Sequence, residues 1–273
     1  MKAGTWKTPR SIAICGAAGL ANAISCLALA GADPDCESRS AARRVALIEL
    51  YTSEGCNSCP PADRWLSSLQ ARGFNADRVV PLAFHVDYWD YLGWRDRFAQ
   101  AGFSARQRAQ AARSGTRFVY TPQLLLSGAD YRLALLGSAF PERLARINSR
   151  APAAELRLAQ RAGATGVSIE LAGRVFEQSA QKFSETYVAL IENDLGSEVR
   201  AGENNGKMLL HDFVVREMKG PLRADGSGRL RWSGTFVLHR DWKRRDLGIA
   251  AFSQDVRDGD VLQAMHAPLC SKP

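Results

Sequence analysis

Residues 45–63, Val-Ala-Leu-Ile-Glu-Leu-Tyr-Thr-Ser-Glu-Gly-Cys-Asn-Ser-Cys-Pro-Pro-Ala-Asp, read as a strand, a loop and the start of a helix. Val45 to Tyr51 is apolar apart from Glu49, the pattern of a strand buried on both faces in a parallel sheet. Pro60 and Pro61 fit only in the first turn of a helix, where a missing N–H donor costs nothing. After them Ala62, Trp65, Leu66 and Leu69 recur at helical spacing. Cys56 and Cys59 therefore stand between a buried strand and a helix amino terminus. There, unpaired backbone N–H groups and the positive end of the helix dipole favour thiolate over thiol, and a second cysteine one turn on can resolve a mixed disulfide. The two prolines donate nothing, so the amides of Asn57, Ser58 and Cys59 are the donors expected for Cys56.

Working outward, residues 79–86 form a second apolar strand interrupted by Pro81. Residues 96–113 are polar and helix-prone, and residues 124–126 form a third strand after Thr121-Pro122. This alternation predicts a βαβ unit with a mostly parallel sheet. Beyond residue 150 the pattern changes to alternating segments at 167–171, 186–191, 208–216, 229–238 and 247–253, separated by turn signals such as Asp225-Gly226-Ser227-Gly228. Such spacing predicts an antiparallel sandwich. The boundary is expected within residues 148–154, giving a first domain over 40–150 and a second over 151–273.

The amino terminus assigns a compartment. Lys2, Lys7 and Arg10 precede the uncharged run 11–32, which ends in small residues at Ala28, Ala30 and Ala32. This is the layout of a secretory signal peptide over residues 1–30, with cleavage after Ala30 or Ala32, and it predicts a periplasmic or secreted protein with no stable membrane insertion afterwards. A retained anchor and lipidation at Cys26 are the alternatives. Cleavage would remove Cys15 and Cys26. The four cysteines left allow three pairings. Cys56 and Cys59 are close neighbours and Cys36 and Cys270 lie near the two mature ends, so a Cys36–Cys270 structural disulfide is expected.

The chain of 273 residues carries 36 basic and 28 acidic side chains, a net charge of +8. Without the three amino-terminal cations, 33 against 28 leaves +5, spread along the chain. Scattered charge of this size describes a solvated surface and gives no reason to expect a nucleic-acid partner.

Four stretches carry a resemblance: residues 49–63 (ELYTSEGCNSCPPAD), 84–94 (FHVDYWDYLGW), 119–128 (VYTPQLLLSG) and 202–216 (GENNGKMLLHDFVVR). Strand, C-x-x-C, helix and a later Thr-Pro before a strand resemble the thioredoxin-like superfamily, and the four stretches together are similar to a bacterial family of secreted, thioredoxin-like proteins of unknown function. The resemblance implies an α/β thioredoxin-like domain followed by a mostly antiparallel β-sandwich. It also implies that Cys56 attacks, that Cys59 resolves, and that Pro122 is cis with Thr121 pairing an extended substrate. The implied activity is thiol–disulfide exchange on exported proteins or peptides, with an unidentified redox partner and no bound cofactor.

Glu49, buried on its strand, is the expected acceptor for the resolving thiol's proton; a solvated or salt-bridged carboxylate is the plainer reading. His85 ends the second strand and Trp89 and Trp94 follow it, where α/β sheets bind ligands, and the three are expected either to wall the cysteine pocket or to cover the core. His85 with both cysteines would also be part of a copper or zinc site, though an incomplete one. His211 reads as a structural histidine. A non-catalytic binding module with an inert disulfide is the competing function.

Overall fold

Why residues 46–52 become a strand buried on both faces is clear from the layers around it. The computed structural model describes residues 36–116, 118–132 and 139–270; the expected signal peptide, its cleavage site and Cys26 lie outside them. Strand β2 (Ala46–Thr52) is followed by helix α1 (Pro60–Ser67), strand β3 (Val79–His85), helix α2 (Ala101–Arg113), strands β4 (Gln123–Leu126) and β5 (Ala129–Asp130), and helix α3 (Ala139–Asn148). Ahead of them lies β1 (Cys36–Arg39). The rest of the chain is almost all strand: β6 (Ala154–Ala162), β7 (Gly166–Val175), β8 (Ser184–Glu192), β9 (Leu195–Glu198), β10 (Met208–His211), β11 (Val214–Arg223), β12 (Arg229–Val237), β13 (Leu247–Asp255) and β14 (Val261–Pro268), with a single helical turn, α4 (Gln178–Gln181).

The main sheet has eight strands in the order β14-β13-β8-β11-β3-β2-β4-β5, a second has the order β1-β6-β7-β12, and β9 with β10 forms a small ribbon. The expected fold, an α/β thioredoxin-like domain with a mostly parallel sheet and a separate β-sandwich, is corrected by this topology. Among the described residues only β2 with β3 and β3 with β11 pair in parallel, and every other pairing is antiparallel. The protein is β-rich, with strands far outnumbering helices. Alternation in the first half was read as a self-contained α/β unit because a sequence does not show which edge a later strand will join. Here β11 pairs with β3, so the sheet runs across the boundary drawn at 148–154. The described residues form one compact unit.

Three apolar layers follow from strand alternation. Ala46, Ile48 and Leu50 face Leu66 of α1 and Phe140 and Leu144 of α3. Leu47 and Tyr51 face the other way, into a core with Phe84, Phe103 of α2, Tyr187 and Phe252. The four-stranded sheet packs Leu158, Ile169 and Phe236 against Leu190 of β8 and Ile249 of β13. Each fully buried side chain of this size contributes about 1.5–3 kcal/mol. The long sheet also curls. Gln263 on β14, its edge strand, accepts from the Val45 N–H at 2.9 Å and donates to the carbonyls of Ala41 and Arg43, closing that edge over the start of β2.

Helix α2 is an exception to apolar burial. Its buried residues include Ser104, Arg106, Gln107 and Gln110. Their side chains are paired instead: Arg106 donates to Glu49 at 2.7 Å and to Gln254 at 2.9 Å, and Gln107 to Gln123 at 2.8 Å.

Candidate functional site around Cys56 and Cys59

Strand β2 ends at Thr52 and the chain turns back on itself, with the Cys56 N–H donating to Ser53 O at 3.2 Å. Cys59 caps α1 with helical backbone angles and the prolines occupy its first turn. Cys56 and Cys59 are joined by a disulfide, their Cα atoms 5.5 Å apart. Neither residue is exposed to solvent. The amides expected to face Cys56 are largely engaged elsewhere: the Asn57 N–H donates to a Glu203 carboxylate oxygen at 3.1 Å, and the Cys59 N–H to Cys56 O at 3.2 Å. The group beside the Cys56 sulfur is the Ser58 hydroxyl, 3.4 Å away.

Part of what packs on the cysteine loop comes from far along the chain. A turn at Gly202–Asn204 sits on the cysteine loop, with the buried Asn204 amide donating to Glu54 O at 2.8 Å and Cys56 O at 3.0 Å. Gly202 has φ +70°, and a Cβ there would stand 3.4 Å from Leu92 O and from Trp94 Cβ. A groove of about 490 Å³ beside the loop is lined by Asn57, Pro60, Pro61, Arg64, Lys207 and Met208.

The expected site residues divide. The Thr121–Pro122 peptide bond is cis, as the resemblance implied. It lies one step beyond the Tyr51–Gln123 pair, at the end of β2 from which the cysteine loop departs. Trp89 links the two, since its indole donates to Thr121 Oγ1 at 2.7 Å and a Cβ on Gly55 would lie 3.0 Å from its own Cβ. The Trp94 indole donates to Glu54 at 2.7 Å. Both tryptophans therefore support the cysteine loop.

Glu49 is not brought to the cysteines. It lines up with Leu47 and Tyr51 on the α2 face of the sheet, where it accepts from Arg106, from Gln110 at 3.1 Å and from the Tyr51 hydroxyl at 2.8 Å. This is its salt-bridged reading. Cys36 and Cys270 are disulfide-bonded, as expected from their positions near the ends.

His85 is fully buried, with Nδ1 2.6 Å from Asp96 Oδ2. It belongs to a cluster that the sequence did not assemble. His211 lies with its ring centroid 4.9 Å from that of His85, its Nε2 3.4 Å from Glu54 and its Nδ1 4.0 Å from Asp63. Burial disfavours a charged His85, but Asp96, Asp63 and Glu54 outweigh it and raise the pKa. Burial pushes Asp96 up, and His85 with the amides of Glu54 and Phe98 brings it below the ordinary value. Glu54 is likewise raised by burial and lowered further by His211, Ser197 and Trp94. Asp63 goes the other way: burial dominates and its pKa is raised. Asp63 could have been found from its place one turn after Cys59. Nothing local in the sequence joins Glu54, Asp96, Asn204 and His211. Among the described residues no group of three or more His, Cys, Asp or Glu side chains is arranged to hold a metal ion, and the two sulfurs expected to contribute are bonded to each other.

Among the described residues no helix is long and apolar enough to cross a membrane. The fold is similar to that of a protein from Agrobacterium tumefaciens solved by X-ray crystallography, with a TM-score of 0.59 and 25% identity over 85% of this chain and 98% of that one. It is also similar to HBP35 of Porphyromonas gingivalis, with a TM-score of 0.65 and 14% identity over 84% of this chain and 76% of that one. No curated protein matches the sequence. Residues 47–254 match the family described as "Protein of unknown function (DUF1223)", and the chain belongs to that family.

Proposed function

We propose that the protein is a periplasmic or secreted thiol–disulfide exchange protein acting through Cys56 and Cys59 on exported proteins or peptides, with a separate redox partner restoring the pair. One observation carries this reading: the disulfide closes across the amino end of α1, with Cys59 as its cap and the Ser58 hydroxyl beside the Cys56 sulfur. On reduction, the helix dipole and that hydroxyl would stabilise a Cys56 thiolate, the species that attacks a disulfide. The groove with Arg64, Lys207 and Met208 gives an extended substrate a place beside the cysteine loop, next to Asn57. Two disulfides in one chain support an oxidising compartment.

The test is equilibration of the native protein with glutathione redox buffers. Cys56–Cys59 is expected to open at a higher potential than Cys36–Cys270, because structural disulfides resist the glutathione pool. Burial of both cysteines favours a second reading, a structural disulfide in a binding module. A pair that stays oxidised until the protein unfolds establishes that reading and ends the first.

A further inference from the structure

Five ionisable side chains from five segments meet beneath the cysteine loop: Glu54 after β2, Asp63 in α1, His85 at the end of β3, Asp96 before α2, and His211 at the end of β10. All are buried. Among the described residues His85 Nε2 and His211 Nδ1 have no hydrogen-bond partner, and Glu54 Oε1 and His211 Nε2 meet only each other, at 3.4 Å. Buried polar atoms are otherwise paired, because losing water without replacement is costly, and a cluster that breaks this rule marks a site for chemistry.

The five groups are not equivalent. Asp96 accepts from the amides of Glu54 and Phe98 at 2.9 Å each and from His85, so it is held as a carboxylate. Glu54 accepts from the Trp94 indole and faces His211. Asp63 has one side-chain hydrogen bond, from the Thr52 hydroxyl at 3.2 Å, and faces His211 at 4.0 Å. It sits four residues after Cys59, whose carbonyl accepts the Asp63 N–H at 3.2 Å, so the two side chains share one face of α1.

We propose that Asp63 is the proton acceptor for Cys59 during exchange, with His211 as the positioning residue that compensates its charge. The inference rests on the exchange reading above. In the balanced sequence, the reduced Cys56 thiolate attacks one sulfur of a substrate disulfide, forming a mixed disulfide and expelling a substrate thiolate. The Cys59 thiol then passes its proton to the Asp63 carboxylate. Its thiolate attacks the Cys56 sulfur, re-forming Cys56–Cys59 and expelling the second substrate thiolate, which takes the proton. Two electrons pass from protein to substrate. Burial raises the proton affinity of Asp63 towards that of a thiol, whereas Asp96 and Glu54 are held ionised and make poorer acceptors.

The test uses the reduced native protein and the chromogenic disulfide 5,5′-dithiobis(2-nitrobenzoate), following the two successive thiolate releases across pH. The first release reports Cys56 attack and the second reports Cys59. Asp63→Asn is expected to slow the second release roughly 100-fold near neutral pH and leave the first unchanged. His211→Gln should shift the pH midpoint of the second step, Asp63→Glu should restore part of the rate, and Glu49→Gln should alter neither step. A second release with the wild-type rate and midpoint in both Asp63→Asn and His211→Gln overturns the inference while leaving the exchange reading in place; His211→Gln alone decides in the same way where Asp63→Asn does not fold. No first release from the wild-type protein overturns both.

Discussion

The side-chain amide of Asn204 donates to the main-chain carbonyl of Cys56 at 3.0 Å across 148 residues of sequence. The same amide reaches Glu54 O, and neighbouring Glu203 accepts from the Asn57 N–H, so a turn from the second half of the chain latches the cysteine loop shut. Both cysteines are buried, so a thiol reaches a sulfur only after their surroundings open.

Replacing Asn204 with Ala should therefore loosen the cover. Two buried carbonyls lose their donor, a cost of about 1–3 kcal/mol borne mainly by the closed state. Reduction of native Cys56–Cys59 by dithiothreitol is expected to accelerate about tenfold or more, because 1.4 kcal/mol is a factor of ten. An unchanged rate would show that the sulfurs are reached by another route.

The Glu49–Arg106 pair makes the opposite prediction, an effect on stability without one on the cysteines. Arg106 lies 4.7 Å from the Tyr187 ring centroid, 5.1 Å from Phe252 and 5.7 Å from Phe84, with Glu49 as its charge partner. Removing one member of a buried pair leaves the other unpaired and costs about 3–5 kcal/mol. Arg106→Met should lower urea stability by that amount. Glu49→Gln, which still accepts a hydrogen bond, should lower it less and leave thiol exchange unchanged.

These two relationships also show what the sequence could reveal. The strand at residues 46–52, the helix start at Pro60, the cis Thr121–Pro122 bond and the two disulfides were legible because each depends on local pattern, on cysteine position or on a resemblance carried by a short motif. The strand order was not, because β11 joins β3 through hydrogen bonds that any extended segment offers. Glu49 was misplaced for a related reason: on a strand buried on both faces, sequence alone does not say which face meets α1. The burial of the polar helix α2 was not legible, since partners such as Gln254 lie 144 residues away. His211 and Asn204 became site residues only once β10 and its preceding turn were seen over the cysteine loop.

The buried cluster makes stability depend on pH in a direction that can be worked out. His85 has a folded pKa above its ordinary value of about 6.5, so its contribution is complete below that pH and is lost as pH rises through the folded value. Asp96 and Glu54 have lowered values, so their contributions are complete above about pH 4 and are lost as pH falls through the folded values. Asp63, raised by burial, contributes fully below about pH 4 and loses that contribution as pH rises through its folded value, so it works with His85 against stability at higher pH. From His85, Asp96 and Glu54, stability should be greatest between about pH 4 and 6.5, with Asp63 tilting it towards the acid end. Urea midpoints at pH 5.5 and 8.5 check it: the midpoint should fall at the higher pH, and His85→Asn should flatten that fall. A steeper alkaline fall in the variant would contradict the assignment.

The Cys36–Cys270 disulfide acts on a different scale, because its sequence separation is 234. In the chain-entropy account a loop of that length is worth about 5 kcal/mol, against far less for the short loop of Cys56–Cys59. The native contacts around it are few. Strand β1 has four residues, pairs only with β6 and stands at the edge of its sheet, while the Cys270 N–H donates to the Gln160 side chain at 3.1 Å. Without the bond, the four residue pairs with β6, the Glu37–Arg157 ion pair and the Ser40–Leu156 hydrogen bonds are left to hold β1 in place among the described residues. Replacing both cysteines with Ser should lower urea stability by about 3–5 kcal/mol and make residues near β1 the first cut by a protease, while the groups around Cys56 and Cys59 keep their environment. Paired urea melts and timed proteolysis read the two effects separately. A loss below about 1 kcal/mol with unchanged cleavage would mean that strand pairing alone secures β1.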